Sequence, residues 1–309
     1  MTVAKPDWLR KRLPTGEITK RIEENLLKNN LHTICQEGCC PNQGECFARG
    51  VAAFLIMGNV CTRNCRFCAV VPGKPIPLDI GEPARLADEI NGMGIRFAVI
   101  TSVTRDDLPD GGAQHFVKVI HEIRMKCPEV GIEVLIPDFN GLSSAVRSIV
   151  DARPEVINHN VETIPRLYSE VRPQANYDQS LGVIGMVKKI DEYMVTKSGI
   201  MLGLGETTEE VIRVMIDLRK AGCDILTIGQ YLCPSRDHHP VAEYVRPEIF
   251  DEYKRIGLEM GFKDVAAGPF VRSSYRAVDS YLRTIGTDNG AGCFQSPFKK
   301  YILEKKWGF

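Results

Sequence analysis

Six cysteines fall in two tight triplets, Cys35, Cys40 and Cys46 followed by Cys61, Cys65 and Cys68. Three thiolates on one short loop can hold three corners of an iron–sulfur cube and leave the fourth iron open to another ligand. An open iron can do chemistry. Structural zinc is the alternative, but it takes four protein ligands, usually as paired Cys knuckles, and neither triplet offers a local fourth. Pooling all six thiols into a binuclear zinc site is the arrangement that remains for that metal. A disulfide framework does not fit a chain with eleven cysteines and no secretion signal, because a reducing compartment keeps such residues as thiols or metal ligands.

The elements that must position these thiols follow from hydrophobic patterning. After a polar N-terminal stretch with a helix over 19–29, which packs Ile22 and Leu26 on one face, the texture changes at Val51. Strands are predicted over 52–57, 97–101, 133–136, 156–159, 199–204, 225–228 and 264–267, with helices over 82–91, 112–125, 180–190, 207–220 and 247–260. Strand then helix, repeated about six times, means an α/β fold with a covered parallel sheet. It favours a partial to full (β/α) barrel of the TIM type, whose chemistry sits at the carboxyl ends of the strands. The second triplet begins three residues after Gly58, where the first strand runs out. A doubly wound open sheet also fits the alternation, but no Gly-x-Gly-x-x-Gly follows the first strand. The expected division is 1–50 as an extension bearing the first triplet, 51–270 as the barrel and 271–309 as a C-terminal segment. Its basic end reads as a solvated helix, with partner docking as the alternative.

Composition narrows the partners. The 39 basic and 39 acidic side chains cancel, so global charge argues for neither nucleic acid nor an anionic membrane. No apolar run approaches the roughly 20 residues needed to span a bilayer, and residues 1–8 lack a signal-peptide core, so the expected location is cytoplasmic. At 309 residues the chain can bury one barrel-sized core.

The second triplet, Cys-Thr-Arg-Asn-Cys-Arg-Phe-Cys at 61–68, resembles the cluster loop of the radical S-adenosylmethionine superfamily. The first, Cys35-x4-Cys40-x5-Cys46, resembles the auxiliary-cluster motif of the lipoyl synthase family, as do 100–115, Asn-His-Asn-Val-Glu-Thr at 158–163, 196–207, Gly-Gln-Tyr-Leu at 229–232 and Arg-Ser-Ser-Tyr at 272–275. The resemblance spans roughly residues 7–277. Two departures stand out: Cys39 adds a fourth thiol to the first motif, and Cys233 stands where relatives often carry glutamine.

The resemblance implies two 4Fe-4S clusters and S-adenosylmethionine. The cluster on Cys61, Cys65 and Cys68 would cleave S-adenosylmethionine to a 5'-deoxyadenosyl radical that removes hydrogen from carbons 6 and 8 of an octanoyl chain. The cluster on Cys35, Cys40 and Cys46 would be the sulfur source, with Ser274 as its fourth ligand and Ser273 as the fallback. Unactivated carbon–hydrogen bonds are beyond side-chain acid–base catalysis, so only a radical route suits that substrate. Implied partners are octanoylated lipoyl carrier domains, from 2-oxoacid dehydrogenase acyltransferase subunits or the glycine-cleavage carrier protein, and an electron donor such as ferredoxin or flavodoxin. Another radical enzyme with an auxiliary cluster, and a two-cluster electron carrier, remain as alternatives.

Other residues carry narrower expectations. Phe67 resembles the superfamily aromatic that packs on adenine; otherwise it covers the cluster. Asn158, Asn160 and Glu162 alternate beyond a strand end, pointing polar groups into the barrel mouth as candidates for ribose or carboxylate contacts. Ser198 is expected to touch the methionine end of the cofactor. Arg272 either stabilises the auxiliary site or closes the barrel with a salt bridge. Asp106, Asp107 and Asp110 are expected to cap the helix entering at Gly112 and order its loop. His238 and His239 form a loop pair able to bind adventitious metal, with satisfied loop histidines as the default. Cys127, Cys223 and Cys293 read as buried or incidental thiols.

Overall fold

A computed structural model describes residues 5–10, 17–48, 51–286 and 297–305. Ten strands run in chain order: His32–Thr33 (β1), Val51–Ile56 (β2), Val60–Cys61 (β3), Val71–Pro72 (β4), Phe97–Ser102 (β5), Gly131–Leu135 (β6), Val156–Asn158 (β7), Val195–Leu202 (β8), Ile225–Gln230 (β9) and Asp264–Gly268 (β10). Eight of them form one sheet in the order β1-β2-β5-β6-β7-β8-β9-β10. All its pairs are parallel except β1–β2. Strand–helix crossovers carry each parallel strand to the next, as such pairing requires. The sheet's outermost strands are β1 and β10, and among the described residues no ladder joins them, so this is a partial barrel with an open seam.

Both ends of the chain gather at that seam. The helices Ile34–Glu37 and Gln43–Ala48 pack on β2, and Thr33 caps the first of them by accepting the Gln36 amide at 3.3 Å. From the other side, the segment after β10 reaches back. Asn42 Nδ2 donates to the Phe270 carbonyl at 2.6 Å, and the Tyr275 hydroxyl donates to Glu45 Oε1 at 3.0 Å. From the N-terminal extension, Ile22, Leu26, Leu31, Cys35 and Phe47 pack in one core with β2, β5 and β6.

Three sequence expectations change. The fifth strand covers Val195–Leu202 rather than 199–204, and the helix Ser143–Asp151 was not foreseen, since its serines and β-branched residues have low helix propensity even though Ala145, Val146, Ile149 and Val150 share a buried face. The helix Pro297–Lys305 is not simply solvated. Phe298 is fully buried, with its ring 5.6 Å from that of Phe97 and 6.1 Å from that of Tyr281. Gly131 admits this ring, because a Cβ there would stand 2.6 Å from it. Residues 306–309 and Cys293 lie outside the described residues.

The C-terminal helix thus seals the amino-terminal end of the barrel, opposite the strand ends that carry chemistry. Phe298→Ala should lower stability by about 3–5 kcal/mol, the usual cost of emptying a phenylalanine site. The check is the denaturation midpoint of the apoprotein; an unchanged midpoint contradicts the seal.

Candidate active site

The second triplet occupies the loop leaving β2. Met57 and Gly58 both take left-handed backbone conformations, φ 68° and 85°, turning the chain sharply toward Cys61. The turn is held by Glu82, whose Oε2 accepts the Met57 amide at 2.9 Å and lies 2.6 Å from His115 Nε2. Cys61 then pairs in the β3–β4 ribbon and accepts amides from Arg63 at 3.4 Å and Thr104 at 3.3 Å.

Arg63 fixes the loop between Cys61 and Cys65. Its guanidinium binds Asp138 through two nitrogens at 2.8 and 2.7 Å, binds Asp106 at 2.8 and 2.9 Å, and donates to Asn140 Oδ1 at 2.8 Å. Burial pushes the Asp138 carboxyl up, but the Arg63 hydrogen bonds and charge outweigh it and hold it at about 2. Asp107 pairs with Arg105 instead. Asp110 caps the helix Ala113–Lys126, accepting the Gly112 amide at 2.9 Å and the Gln114 amide at 2.8 Å.

Burial pushes the Cys68 thiol up to about 12 and raises Cys65 as well, the latter opposed by the Arg172 guanidinium beside it. Arg172 is buried, stacks 5.3 Å from the Tyr168 ring centroid, and donates to the carbonyls of Asn160 at 3.1 Å and Val161 at 3.2 Å. It therefore joins the cysteine loop to the polar turn after β7. Phe67 is half-buried and packs against a core that includes Ile200, Leu202 and Tyr231. The loop after β9 closes over the triplet. His238 Nε2 lies 3.0 Å from the Cys68 carbonyl and its Nδ1 lies 2.8 Å from the Ser235 hydroxyl, while the His239 amide donates to the Arg66 carbonyl at 2.8 Å. Both histidines are thus engaged in bracing the cysteine loop. Cys233 in the same loop donates to Ser235 O at 2.9 Å.

The turn Asn158–Glu162 lines the mouth. Asn158 Nδ2 donates to Glu133 Oε1 at 3.2 Å, and Glu133 in turn receives Lys197 Nζ at 2.8 and 3.0 Å, a fully buried pair. Asn160 Nδ2 donates to Glu162 Oε1 at 3.0 Å and to Ser273 Oγ at 2.6 Å. Burial raises the Glu162 carboxyl, opposed by Arg172, on a residue with φ of 66°. His159 is pulled down to about 4, first by burial and then by Arg172, so it is neutral; its Nδ1–H donates to the Ile136 carbonyl at 2.8 Å. Unpartnered buried atoms cluster here: Asn158 Oδ1, His159 Nε2, Asn160 Oδ1 and Thr163 Oγ1. Buried polar atoms are normally satisfied, so such a concentration marks a place for a polar ligand. Ser198 sits differently from expectation. Its hydroxyl accepts the Val161 amide at 3.3 Å. Strand alternation puts it on the side of Ile200 and Leu202, whereas Gly199 faces Asn160 Oδ1 and Thr227.

The first triplet forms a second pocket at the seam. Cys35, Cys40, Cys46, Ser274, Arg272, Asn42, Tyr275, Val51 and Ala53 line it. Cys39 is exposed, turned away by a φ of 48°. Ser274, not Ser273, faces these thiols. Burial, and then the neighbouring Cys40, push Cys35 up to about 12. Burial lowers Arg272, with Cys40 opposing, and its Nη1 donates to the Val271 carbonyl at 2.7 Å. The first set of thiols lines a pocket rather than meeting at a point. Among the described residues no three Cys, His, Asp or Glu stand close enough for a single metal ion, whereas a four-iron cube takes one ligand per iron. Three thiols, a hydroxyl and a buried guanidinium suit such an anionic cube. Cys127 and Cys223 are buried and bonded to carbonyls at 3.6 and 3.1 Å.

Arg63, Arg172, Glu82 and Glu133 were missed by sequence reasoning. Arg63 lay in plain view inside its motif, but an arginine between cysteines does not announce two carboxylate partners 43 and 75 residues away.

Arg63→Met should leave Asp138 buried without its partner, at a cost of about 3–5 kcal/mol. The Asp138 carboxyl is depressed from 3.8 to about 2, so its contribution is complete above pH 3.8 and lost as pH falls through about 2. Apoprotein unfolding followed against pH should show this acid-dependent part in the wild type and not in the variant. Identical pH dependence in both contradicts the assignment.

Residues 55–218 match the Radical SAM superfamily model. The chain is 59% identical to lipoyl synthase from Caldanaerobacter subterraneus subsp. tengcongensis, covering 90% of this chain and 97% of that one. It is 54% identical to lipoyl synthase from Rubrobacter xylanophilus, covering 88% and 85%. Among solved structures, the FeFe-hydrogenase maturase HydG from Carboxydothermus hydrogenoformans superposes with a TM-score of 0.54 at 16% identity over 87% of this chain and 68% of that one. Methylornithine synthase (PylB) gives 0.52 at 13% over 95% and 89%. At such identities these two speak for the fold alone. With cysteines grouped at the strand mouth and at the seam, and relatives matched over nearly their whole length, this chain belongs to the lipoyl synthase family of the radical SAM superfamily.

Proposed function

We propose that this chain is a sulfurtransferase that places two sulfur atoms at carbons 6 and 8 of octanoyl-lysine on lipoyl carrier domains, completing protein lipoylation. One observation carries the reading: Cys35, Cys40, Cys46 and Ser274 line a pocket of their own, while the second triplet sits at the barrel mouth, with Cys65 beside Arg172 and Glu162. A 4Fe-4S cluster on Cys61, Cys65 and Cys68 with S-adenosylmethionine supplies hydrogen abstraction, and a second on Cys35, Cys40, Cys46 and Ser274 supplies sulfur.

The protein's part is to bind, orient and exclude water. Asn158 and Asn160 offer carbonyl oxygens to a donor such as an amine or ribose hydroxyl. Arg172 balances Glu162 and Cys65, and Phe67 presents a ring for adenine. Ser198 acts at one remove, holding the Val161 amide and with it the turn that carries Asn160 and Glu162. Ser274 would hold one iron of that cluster through oxygen, a harder donor than thiolate. Arg272 is the counter-charge in that pocket. The carriers are acyltransferase subunits of 2-oxoacid dehydrogenases or the glycine-cleavage carrier protein, and the electron donor is a ferredoxin or flavodoxin. Among the described residues no helix is long and apolar enough to cross a membrane. Thiol ligands and a cytoplasmic, reducing setting suit each other.

The test is anaerobic turnover of an octanoyl-lysine peptide. Cys40→Ala should still form 5'-deoxyadenosine but add no sulfur, whereas Cys65→Ala should do neither. Lipoyl product from Cys40→Ala would remove the seam pocket from the role of donor.

A further inference from the structure

A hydrogen bond from Asn160 links the barrel mouth to the segment that lines the seam pocket. Asn160 is buried at the mouth and its Nδ2 is shared between Glu162 Oε1 at 3.0 Å and Ser273 Oγ at 2.6 Å. Its Oδ1 has no partner. Ser273 is followed directly by Ser274, which lines the seam pocket with Cys35, Cys40 and Cys46. The segment has little slack. The Val271 amide donates to Gly268 O at 3.0 Å, the Tyr275 amide to Arg272 O at 2.9 Å, and a side chain at Gly229 would run into the Val271 carbonyl. Gly199 leaves Asn160 its place, since a Cβ there would stand 2.9 Å from Oδ1.

The geometry points to Ser273 as a positioning residue that couples S-adenosylmethionine binding at the mouth to ligation by Ser274 at the seam, through the Asn160 amide. A ligand donor on Asn160 Oδ1 fixes the amide plane and therefore the direction in which Nδ2 presents its proton to Ser273. Holding the Ser273 hydroxyl sets the backbone that aims Ser274. The coupling is reciprocal by linkage: a seam pocket with its cluster in place tightens binding at the mouth by the same factor. Substrate chemistry gains from this coupling, because the sulfur donor is held by its full ligand set while the hydrogen-abstracting cofactor is seated. The inference rests on the proposed function for the identities of the two ligands, and its test reads binding and iron rather than product.

The experiment is a cycle of four anaerobically reconstituted proteins: wild type, Ser273→Ala, Cys40→Ala and Cys40→Ala/Ser273→Ala. Equilibrium dialysis gives S-adenosylmethionine affinity, and iron per chain is determined for each. Ser273→Ala should weaken binding by a factor of about five or more when the auxiliary cluster is present, and by nothing further in the Cys40→Ala background. Ser273→Thr, which keeps the hydroxyl, should restore the affinity. Loss of auxiliary iron from Ser273→Ala that Ser273→Thr restores is the same coupling read from the other side. Equal weakening in both backgrounds, no weakening in either, or no recovery by Ser273→Thr overturns the coupling. A chain that binds S-adenosylmethionine and carries two clusters yet shows one of those results loses only this inference. One that binds no S-adenosylmethionine loses the proposed function with it.

Discussion

The structure depends on a barrel that does not close. A sheet with free edges exposes ladder donors and acceptors that must be covered. Here β1 covers β2, while the gap toward β10 is bridged by Asn42 to Phe270 and Tyr275 to Glu45. The cover is drawn from both ends of the chain, and the thiols of the first triplet ride on it. The auxiliary pocket is therefore the joint of the fold, completed only when residues 35–46 and 270–275 are both in place.

Buried positive charge is the second requirement. The chain has no net charge, yet Arg63, Arg172 and Arg272 stand at or near its two thiol sets. Arg63 neutralises carboxylates that shape the cysteine loop, Arg172 balances Glu162 and Cys65, and Arg272 faces Cys40. Cys35 and Cys68 resist ionisation in the apoprotein. Metal binding and thiol deprotonation must then occur together, so loading couples to proton release.

Thiol spacing was legible in the sequence because ligand geometry is local, and so was the strand–helix alternation, because burial imposes it. Spacing alone left Cys39 out of the first set, and in the structure Cys39 is exposed. The phase of β8 was not legible. Thr196 and Lys197 interrupt its apolar run, and their polar groups are satisfied by Asp224, just before β9, and by Glu133 of β6. Starting the strand at Gly199 obscured which side of the sheet Ser198 takes. What sets Ser273 apart from Ser274 in the structure is its hydrogen bond from Asn160, a contact between residues 113 positions apart. Phe298 likewise found its place through Gly131, a glycine whose lack of a side chain reads in sequence only as strand weakness.

The account stands on the seam cluster as the source of inserted sulfur. Reconstitution with heavy-isotope sulfide, removal of free sulfide, and a single turnover in buffer containing only light sulfide measures this directly by product mass. The account predicts lipoyl product carrying two heavy sulfurs. Product carrying light sulfur would contradict it.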